Sequence, residues 1–330
     1  MSLHVIKAGF ATTIQDLGRF GFQSNGVPIG GAMDEYALMR ANLLVGNNRG
    51  EACIEFLMGQ SEVMFEEDTL IALAGSGSKA IIDEHEIPFH RAIKVKAGTT
   101  LKFKYSTFGM WKYLAVGGGF QLTKTLGSYS TYPTGGFGGL NGTWLNEKDR
   151  LLIKTSKSSL TKAIATSLSI GERKLSVAKW GVPFNKEDDS TPIRIIAGRE
   201  WDWLTDESKT RLRNGPFSIS NDSNRMGYRL EGNYLDKIIN HELISTAVTK
   251  GTMQLTNQGQ PVVLMADAQT VGGYPRVAQV ISVDISRLAQ KRVAEIVTFK
   301  MISWDEAESL FLVKEREMDE IEVSIRRRFS

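Results

Sequence analysis

The sequence predicts a mainly β protein with a few short helices, and three observations carry that prediction. Apolar runs of four to seven residues recur between glycine turns at roughly ten-residue spacing, with little helical pattern between them. Several runs alternate strictly, so that Leu101, Phe103 and Tyr105 share one face of Thr100–Tyr105. The 330 residues also exceed what one compact core usually holds, which predicts two domains. Sandwiches or barrels fit this spacing better than a parallel α/β sheet.

In chain order, the strands expected in the first half are Thr69–Ala74, Ala80–Asp83, Ile93–Lys96, Thr100–Tyr105, Trp111–Val116 and Leu151–Lys154. The second half offers Ile193–Ala197, Phe217–Ser220, Val262–Ala266, Ala278–Asp284 and Ile296–Ile302. A first helix is expected where Met33, Ala37, Ala41, Leu44 and Val45 share a face, with Asp34 to cap it and Gly46 to end it. Glu200–Leu212 is a second. A third starts at Ser303-Trp-Asp-Glu306, a capping box, and carries Ala307, Leu310, Phe311, Met318, Ile321 and Ile325 on one stripe. Arg326–Arg328 then suit the negative end of its dipole and read as a solvated helix end.

Between Thr155 and Thr191 the periodicity dissolves into Ser/Thr/Lys-rich sequence and the charged run Lys186–Ser190. The domain boundary is expected there. Residues 1–190 are read as an N-terminal β domain ending in a linker at about 155–190, 191–305 as a second β domain, and 306–330 as a C-terminal helix.

Composition narrows the function. Hydrophobic residues at 42% and charged ones at 23% are globular values, and a net charge of +3 is too small to predict nucleic-acid binding. Cys53 is alone, so an intramolecular disulfide and a multi-cysteine zinc site are excluded. His4, His85, His90 and His241 form no HxH or HxxxH pair, and no Ser-His-Asp or Cys-His set can be assembled. No apolar run reaches the ~20 residues needed to span a bilayer, and the N-terminus lacks a signal pattern. A soluble cytoplasmic protein is expected.

Four polar, glycine-rich segments remain. Gly9–Asp34 holds six glycines with Gln15, Asp16, Arg19 and Asp34; it reads either as an anion-binding loop or as a turn tied together by Asp16 and Arg19. Gly117–Gly119 with Gly127–Gly139 offers Ser128, Ser130 and Thr131 as hydroxyl donors on a pocket rim, or equally a set of tight turns. Neither these glycines nor Gly75–Lys79 match a P-loop. Ser220–Gly232 places Asn224 beside Arg225, a pair suited to a carboxylate or carbonyl, or to bridging loops. In the fourth segment Gln254 precedes an apolar strand that delivers Asp267, Gln269, Thr270 and Tyr274 into a Gly-Gly turn.

Together and in this order, GFATTIQDLGRFGFQSNGVPIGGAMD (Gly9–Asp34), YLAVGGGF (Tyr113–Phe120), SNRMGYRLEG (Ser223–Gly232) and GTMQ…GQPVVLMADAQTVGGYP (Gly251–Pro275) resemble one family. It is known as allophanate hydrolase subunit 2, the 5-oxoprolinase C subunit, or the KipA-type biotin-dependent carboxyltransferase family. The resemblance runs to about Glu308. It implies two tandem cyclophilin-like β-barrels, and a heteromer with a KipI-type B subunit and a LamB/YcsF-type subunit. With these, ATP and Mg²⁺ would serve to open 5-oxo-L-proline to L-glutamate. Two other functions come with the resemblance: biotin-dependent carboxyl transfer, as in urea carboxylase, and binding of a KipI-type kinase inhibitor.

Under the first, Arg19 and Arg225 are the expected cations and Asp16 and Asp267 the expected base or metal carboxylates. Gln15, Asn224, Gln254, Gln269, Thr270 and Tyr274 are the expected substrate contacts. All are expected in one pocket. The sequence departs from the family pattern at Tyr129, where a basic residue is usual, at Gly142-Thr143 and Lys148-Asp149, and at Lys291–Glu295.

Overall fold

The computed structural model describes residues 2–76, 79–105, 108–171, 174–183, 191–239, 241 and 243–330. The chain divides into two contact units, neither of them one continuous stretch. The first comprises Met1–Arg19, Asp34–Asn185 and Arg316–Ser330; the second comprises Phe20–Met33 and Lys186–Glu315. The charged run 186–190 lies outside the described residues.

The first unit holds β1 (Ser2–Lys7), β2 (Thr12–Gln15), α1 (Glu35–Leu44), β3 (Cys53–Leu57), β4 (Glu62–Phe65), β5 (Thr69–Gly75), β6 (Ala80–Ile82) and β7 (His85–Ile87). After these come β8 (Ala92–Val95), β9 (Thr100–Phe103), β10 (Trp111–Val116), β11 (Arg150–Leu152), α2 (Ser159–Ser167) and β12 (Leu175–Val177). Two six-stranded sheets result, in the orders β11-β1-β4-β9-β6-β7 and β12-β8-β5-β10-β3-β2. Their inner faces share one apolar core. Phe56 of β3 meets Phe103 of β9 across it, ring centroids 4.8 Å apart, a tilted aromatic contact. On the outer face α1 packs against β5 and β10. Its start is set by Asp34, whose carboxylate accepts from Ala37 N at 3.0 Å.

The second unit holds β13 (Ile193–Ala197), α3 (Asp206–Asn214), β14 (Phe217–Ile219), β15 (Gly227–Glu231), β16 (Thr246–Ala247), β17 (Thr252–Leu255), β18 (Pro261–Leu264) and β19 (Val271–Gly272). It continues with β20 (Arg276–Val280), α4 (Ser282–Ala289), β21 (Ile296–Val297) and β22 (Phe299–Met301). Eight strands form one sheet, β21-β14-β15-β18-β17-β20-β13-β22. Its two edge strands are consecutive in the chain. Val297 pairs with Phe217 at one edge, and two residues on Phe299 pairs with Ile193 at the other. Neighbouring Cα atoms lie ~3.8 Å apart, so edges separated by Thr298 alone must meet, and the sheet curls into a nearly closed barrel.

The last helix, α5 (Trp304–Arg328), begins as expected: Ser303 Oγ accepts from Glu306 N at 3.1 Å. Ala307 and Leu310 pack with Ile196, Ile281 and Ile302 of the second unit. From Arg316 onward the helix belongs to the first unit, where Met318 and Ile325 are buried. No helix among the described residues is long and apolar enough to cross a membrane.

The mainly β reading with a C-terminal helix holds, with local corrections. Strands β1 to β4 were not expected. Residues 155–190, read as linker, carry α2, capped by Ser158, and β12, which pairs with β8. The expected strand Ala278–Asp284 stops at Val280, and α4 begins two residues later. Of the expected helix Glu200–Leu212, Trp201–Trp203 form a separate 3-10 turn before α3. Phe311 leaves the buried stripe of α5 and is exposed.

Candidate functional site

The residues singled out in the sequence fall into two groups, one in each unit. In the first unit Gln15 ends β2 and Asp16 and Arg19 follow it. The Asp16 carboxylate collects four donors. Ser128 Oγ and Ser130 Oγ each donate to Oδ1 at 2.6 Å, Gly18 N donates to Oδ1 at 2.8 Å, and Tyr129 N donates to Oδ2 at 2.6 Å. Arg19 is buried. Its Nη2 donates to Ser130 O, and its guanidinium lies 4.9 Å from the centre of the Phe137 ring. Only glycine fits at position 138: its φ is +78°, and a Cβ there would stand 2.0 Å from Ser130 O and 3.0 Å from Arg19 Nη2.

Gln15 donates from Nε2 to Thr13 Oγ1 at 3.0 Å and to Thr131 O at 3.2 Å. Its Oε1 is buried and accepts no hydrogen bond among the described residues. Gln15, Asp16 and Arg19 therefore lock the 128–139 loop onto the end of β2.

Beside this group, beneath α1, lies a buried pair that the sequence reading missed. Tyr113 Oη donates to Glu55 Oε2 at 2.7 Å and accepts from Asp34 N at 2.8 Å. Burial, reinforced by the charges of Glu55 and Asp34, holds the Tyr113 phenol well above its ordinary range. A lone glutamate inside the apolar run Cys53-Ile-Glu-Phe-Leu57 is the signal that could have drawn attention to it.

In the second unit Arg225 and Asp267 form a two-pronged ion pair, Nε to Oδ2 at 2.7 Å and Nη2 to Oδ1 at 3.0 Å. Arg225 Nη2 also donates to Gly31 O at 2.7 Å. Lys250, again missed from sequence, donates from Nζ to Ala32 O at 2.9 Å, and Gly30 N donates to Ala266 O at 3.1 Å. The second half of the first glycine-rich segment is thus held by the loop before β15 and by the residues after β18.

The remaining predicted residues are dispersed over this unit. Asn224 is exposed, its side chain accepting from Met226 N at 2.8 Å. Gln254 is buried and donates to Tyr274 O at 3.4 Å; a Cβ on Gly272 would come within 2.4 Å of its Nε2. Thr270 is buried, whereas Gln269 and Tyr274 are exposed.

These carboxylates, as placed, do not fit magnesium. The ion demands near-octahedral oxygen geometry, usually from one or two carboxylates with waters and phosphates. Asp16 is engaged by four donors and Asp267 by a guanidinium fork. Among the described residues no group of three or more His, Cys, Asp and Glu side chains could hold a metal ion.

Comparison with known proteins defines the class. Residues 25–301 match the family described as carboxyltransferase domain, subdomain A and B, and the chain belongs to that family. It is 39% identical to the 5-oxoprolinase C subunit of Escherichia coli, over 92% of this chain and 93% of that one. The 5-oxoprolinase C subunit of Haemophilus influenzae is 33% identical over 97% of both chains. Urea amidolyase of Saccharomyces cerevisiae is 28% identical over 94% of this chain but only 17% of the yeast protein. The crystal structure of Kluyveromyces lactis urea amidolyase shares the fold, with a TM-score of 0.86 at 24% identity, over 97% of this chain and 20% of that chain.

Proposed function

We propose that this chain is the C-type subunit of an ATP-dependent 5-oxoprolinase that hydrolyses 5-oxo-L-proline to L-glutamate in the cytoplasm. The observation that carries this reading is the match to two proteins named as the C subunit of 5-oxoprolinase, each over more than nine-tenths of its own length. Its partners in this reading are a KipI-type B subunit and a LamB/YcsF-type subunit, and the barrels are of the cyclophilin-like kind.

The chemical problem is a lactam carbonyl made unreactive by amide resonance. In this reading ATP would supply the activation and Mg²⁺ would balance the phosphate charge, both held by the assembled complex rather than by the carboxylates Asp16 and Asp267. Arg225 and Asp267 act by fixing the Gly30–Met33 turn, and Asp16 with Arg19 by fixing the 128–139 loop. Asn224, Gln254, Gln269, Thr270 and Tyr274 of the second unit are the proposed polar contacts to substrate, while Gln15 braces the 128–139 loop with Asp16 and Arg19. The test is glutamate release from 5-oxo-L-proline by the chain co-purified with both partners. ATP-dependent release supports the reading; a folded, complete assembly that releases none overturns it.

A second reading, biotin-dependent carboxyl transfer to an amide or urea-like acceptor, is favoured by the family description and by the similarity to urea amidolyases. It requires a biotin carrier. Transfer of labelled carboxylate from carboxybiotin to urea would establish it.

A further inference from the structure

The Gly30–Met33 turn is gripped from its carbonyl side. Arg225 Nη2 donates to Gly31 O at 2.7 Å, and Lys250 Nζ donates to Ala32 O at 2.9 Å and to Met33 O at 3.4 Å. A trans peptide holds its C=O and N–H antiparallel, so the Ala32 N–H points away from the guanidinium that binds the carbonyl of the same peptide. Gly31 N–H belongs to the peptide before it. Gly31 and Ala32 are both buried, yet neither N–H donates to any acceptor among the described residues.

Buried backbone donors left without an acceptor within the chain are rare, and two in succession call for an acceptor atom from outside it, a water or a ligand. The backbone is open to one. Gly30 and Gly31 both take left-handed φ, +66° and +85°, backbone that residues with a Cβ rarely adopt and that leaves the two N–H groups uncovered by side chains of their own. Arg225, behind the Gly31 carbonyl, polarises the 31–32 peptide and so strengthens the Ala32 N–H as a donor, while Lys250 holds the next two carbonyls in place.

We propose that the N–H groups of Gly31 and Ala32 form an oxyanion-binding pair that takes the lactam carbonyl oxygen of the substrate. The identity of that oxygen rests on the 5-oxoprolinase reading; the donors and the cations behind them are features of this chain. Two adjacent neutral donors match an oxygen on which negative charge builds, and donors fixed in the backbone avoid reorganisation as it does so. Arg225 and Lys250 are positioning residues in this arrangement.

The experiment uses the full chain labelled with ¹⁵N at glycine and alanine, alone and in the assembled complex. It is titrated with 2-pyrrolidinone, which has only the lactam, with L-proline, which has only the carboxylate, and with 5-oxo-L-proline, which has both. The Gly31 and Ala32 amide protons are expected to move downfield with the two lactams and to stay in place with L-proline. An ester at the Gly31–Ala32 linkage, with L-lactic acid replacing Ala32, removes one donor and keeps the side chain. It is expected to lower turnover by about 10²-fold, the scale of losing one such donor.

Amides that ignore both lactams at saturation, or that respond to L-proline alone, overturn the proposal, as does an ester form with unchanged turnover. An assembly that releases glutamate while these amides stay still removes the oxyanion pair and leaves the proposed function. Amides that respond to 2-pyrrolidinone in an assembly that releases no glutamate do the reverse.

Discussion

Arg225 and Asp267 are joined through side chain and backbone alike: the guanidinium fork meets the carboxylate at 2.7 and 3.0 Å, and Asp267 N donates to Arg225 O at 2.8 Å. Both side chains are largely buried, 12% and 7% exposed. Such a pair is a poor source of net stability, but removing one partner strands the other's charge. Arg225→Ala is therefore expected to cost about 3–5 kcal/mol by urea unfolding and to lower turnover by at least about 10-fold. Removing Asp267 as well should restore much of the stability and little of the turnover, because Gly31 O has still lost its donor. A double variant no more stable than Arg225→Ala would count against the pairing.

The Asp16 knot makes a separate prediction. Asn at position 16 keeps the shape but turns one acceptor oxygen into an NH₂ group facing donors. Charge-assisted bonds are worth about 1.5–3 kcal/mol each, so Asp16→Asn is expected to loosen the 128–139 loop before it unfolds the first unit. Gly138→Ala attacks the same knot by steric means, since its Cβ would overlap Ser130 O. Limited proteolysis should show new cleavage within residues 128–139 in both variants. Resistance equal to wild type would show that the loop is held by something else.

Much of this was legible where the determinants are local. Asp34 and Ser303 cap their helices as their positions three residues ahead of the bonded N–H predict, and the alternating strand at Thr100 needed only its own side chains. Strands β2 and β3 escaped because every residue of Thr12–Gln15 and four of the five in Cys53–Leu57 are buried, which erases the alternation that marks a half-exposed strand. The site was legible as a set of polar loops but not as contacts. Lys250 reaches Ala32 across 218 residues of sequence, and Tyr113 reaches Glu55 across 58. Nothing in either neighbourhood announces its partner.

The second half of α5 is tied to the rest of the first unit by ion pairs as well as by apolar contacts. Arg40 pairs with Glu317 at 2.6 Å, and Arg49 pairs with Asp319 at 2.6 Å and Glu322 at 2.9 Å. Met318 and Ile325 are the two buried apolar side chains among its described residues. Partly exposed pairs weaken as salt rises. Amide exchange over residues 316–328 is expected to quicken between ~0.05 and ~0.5 M NaCl, salt levels chosen to span about three-fold in Debye length. Arg49→Ala should bring the low-salt rate close to the high-salt one, and a salt-independent rate in the wild type would mean that the two apolar contacts suffice.

Two buried bases make stability rise with pH in two separate windows. Lys112 lies in the core-facing register of β10, its Nζ donating to Met58 O and, at 3.4 Å, to Met110 O, and burial lowers its pKa to about 7 from 10.5. His90 is lowered to about 4 from 6.5, by burial first and then by the charge of Arg40. In both cases the unfolded chain holds the proton over a pH range where the folded chain has released it, so stability rises with pH across that range. The window for His90 runs from about 4 to 6.5 and that for Lys112 from about 7 to 10.5. Each contributes a slope approaching 1.4 kcal/mol per pH unit. Lys112→Met is expected to remove the rise between about pH 7 and 9, below the range where the raised Cys53 and Tyr113 act in the opposite sense, and to leave the lower window intact. His90→Asn, which tolerates the left-handed φ of +60° at that position, should do the opposite. Unfolding free energies measured from pH 4 to 10 decide it, and a Lys112→Met profile parallel to wild type above pH 7 would show that the buried amine keeps its proton.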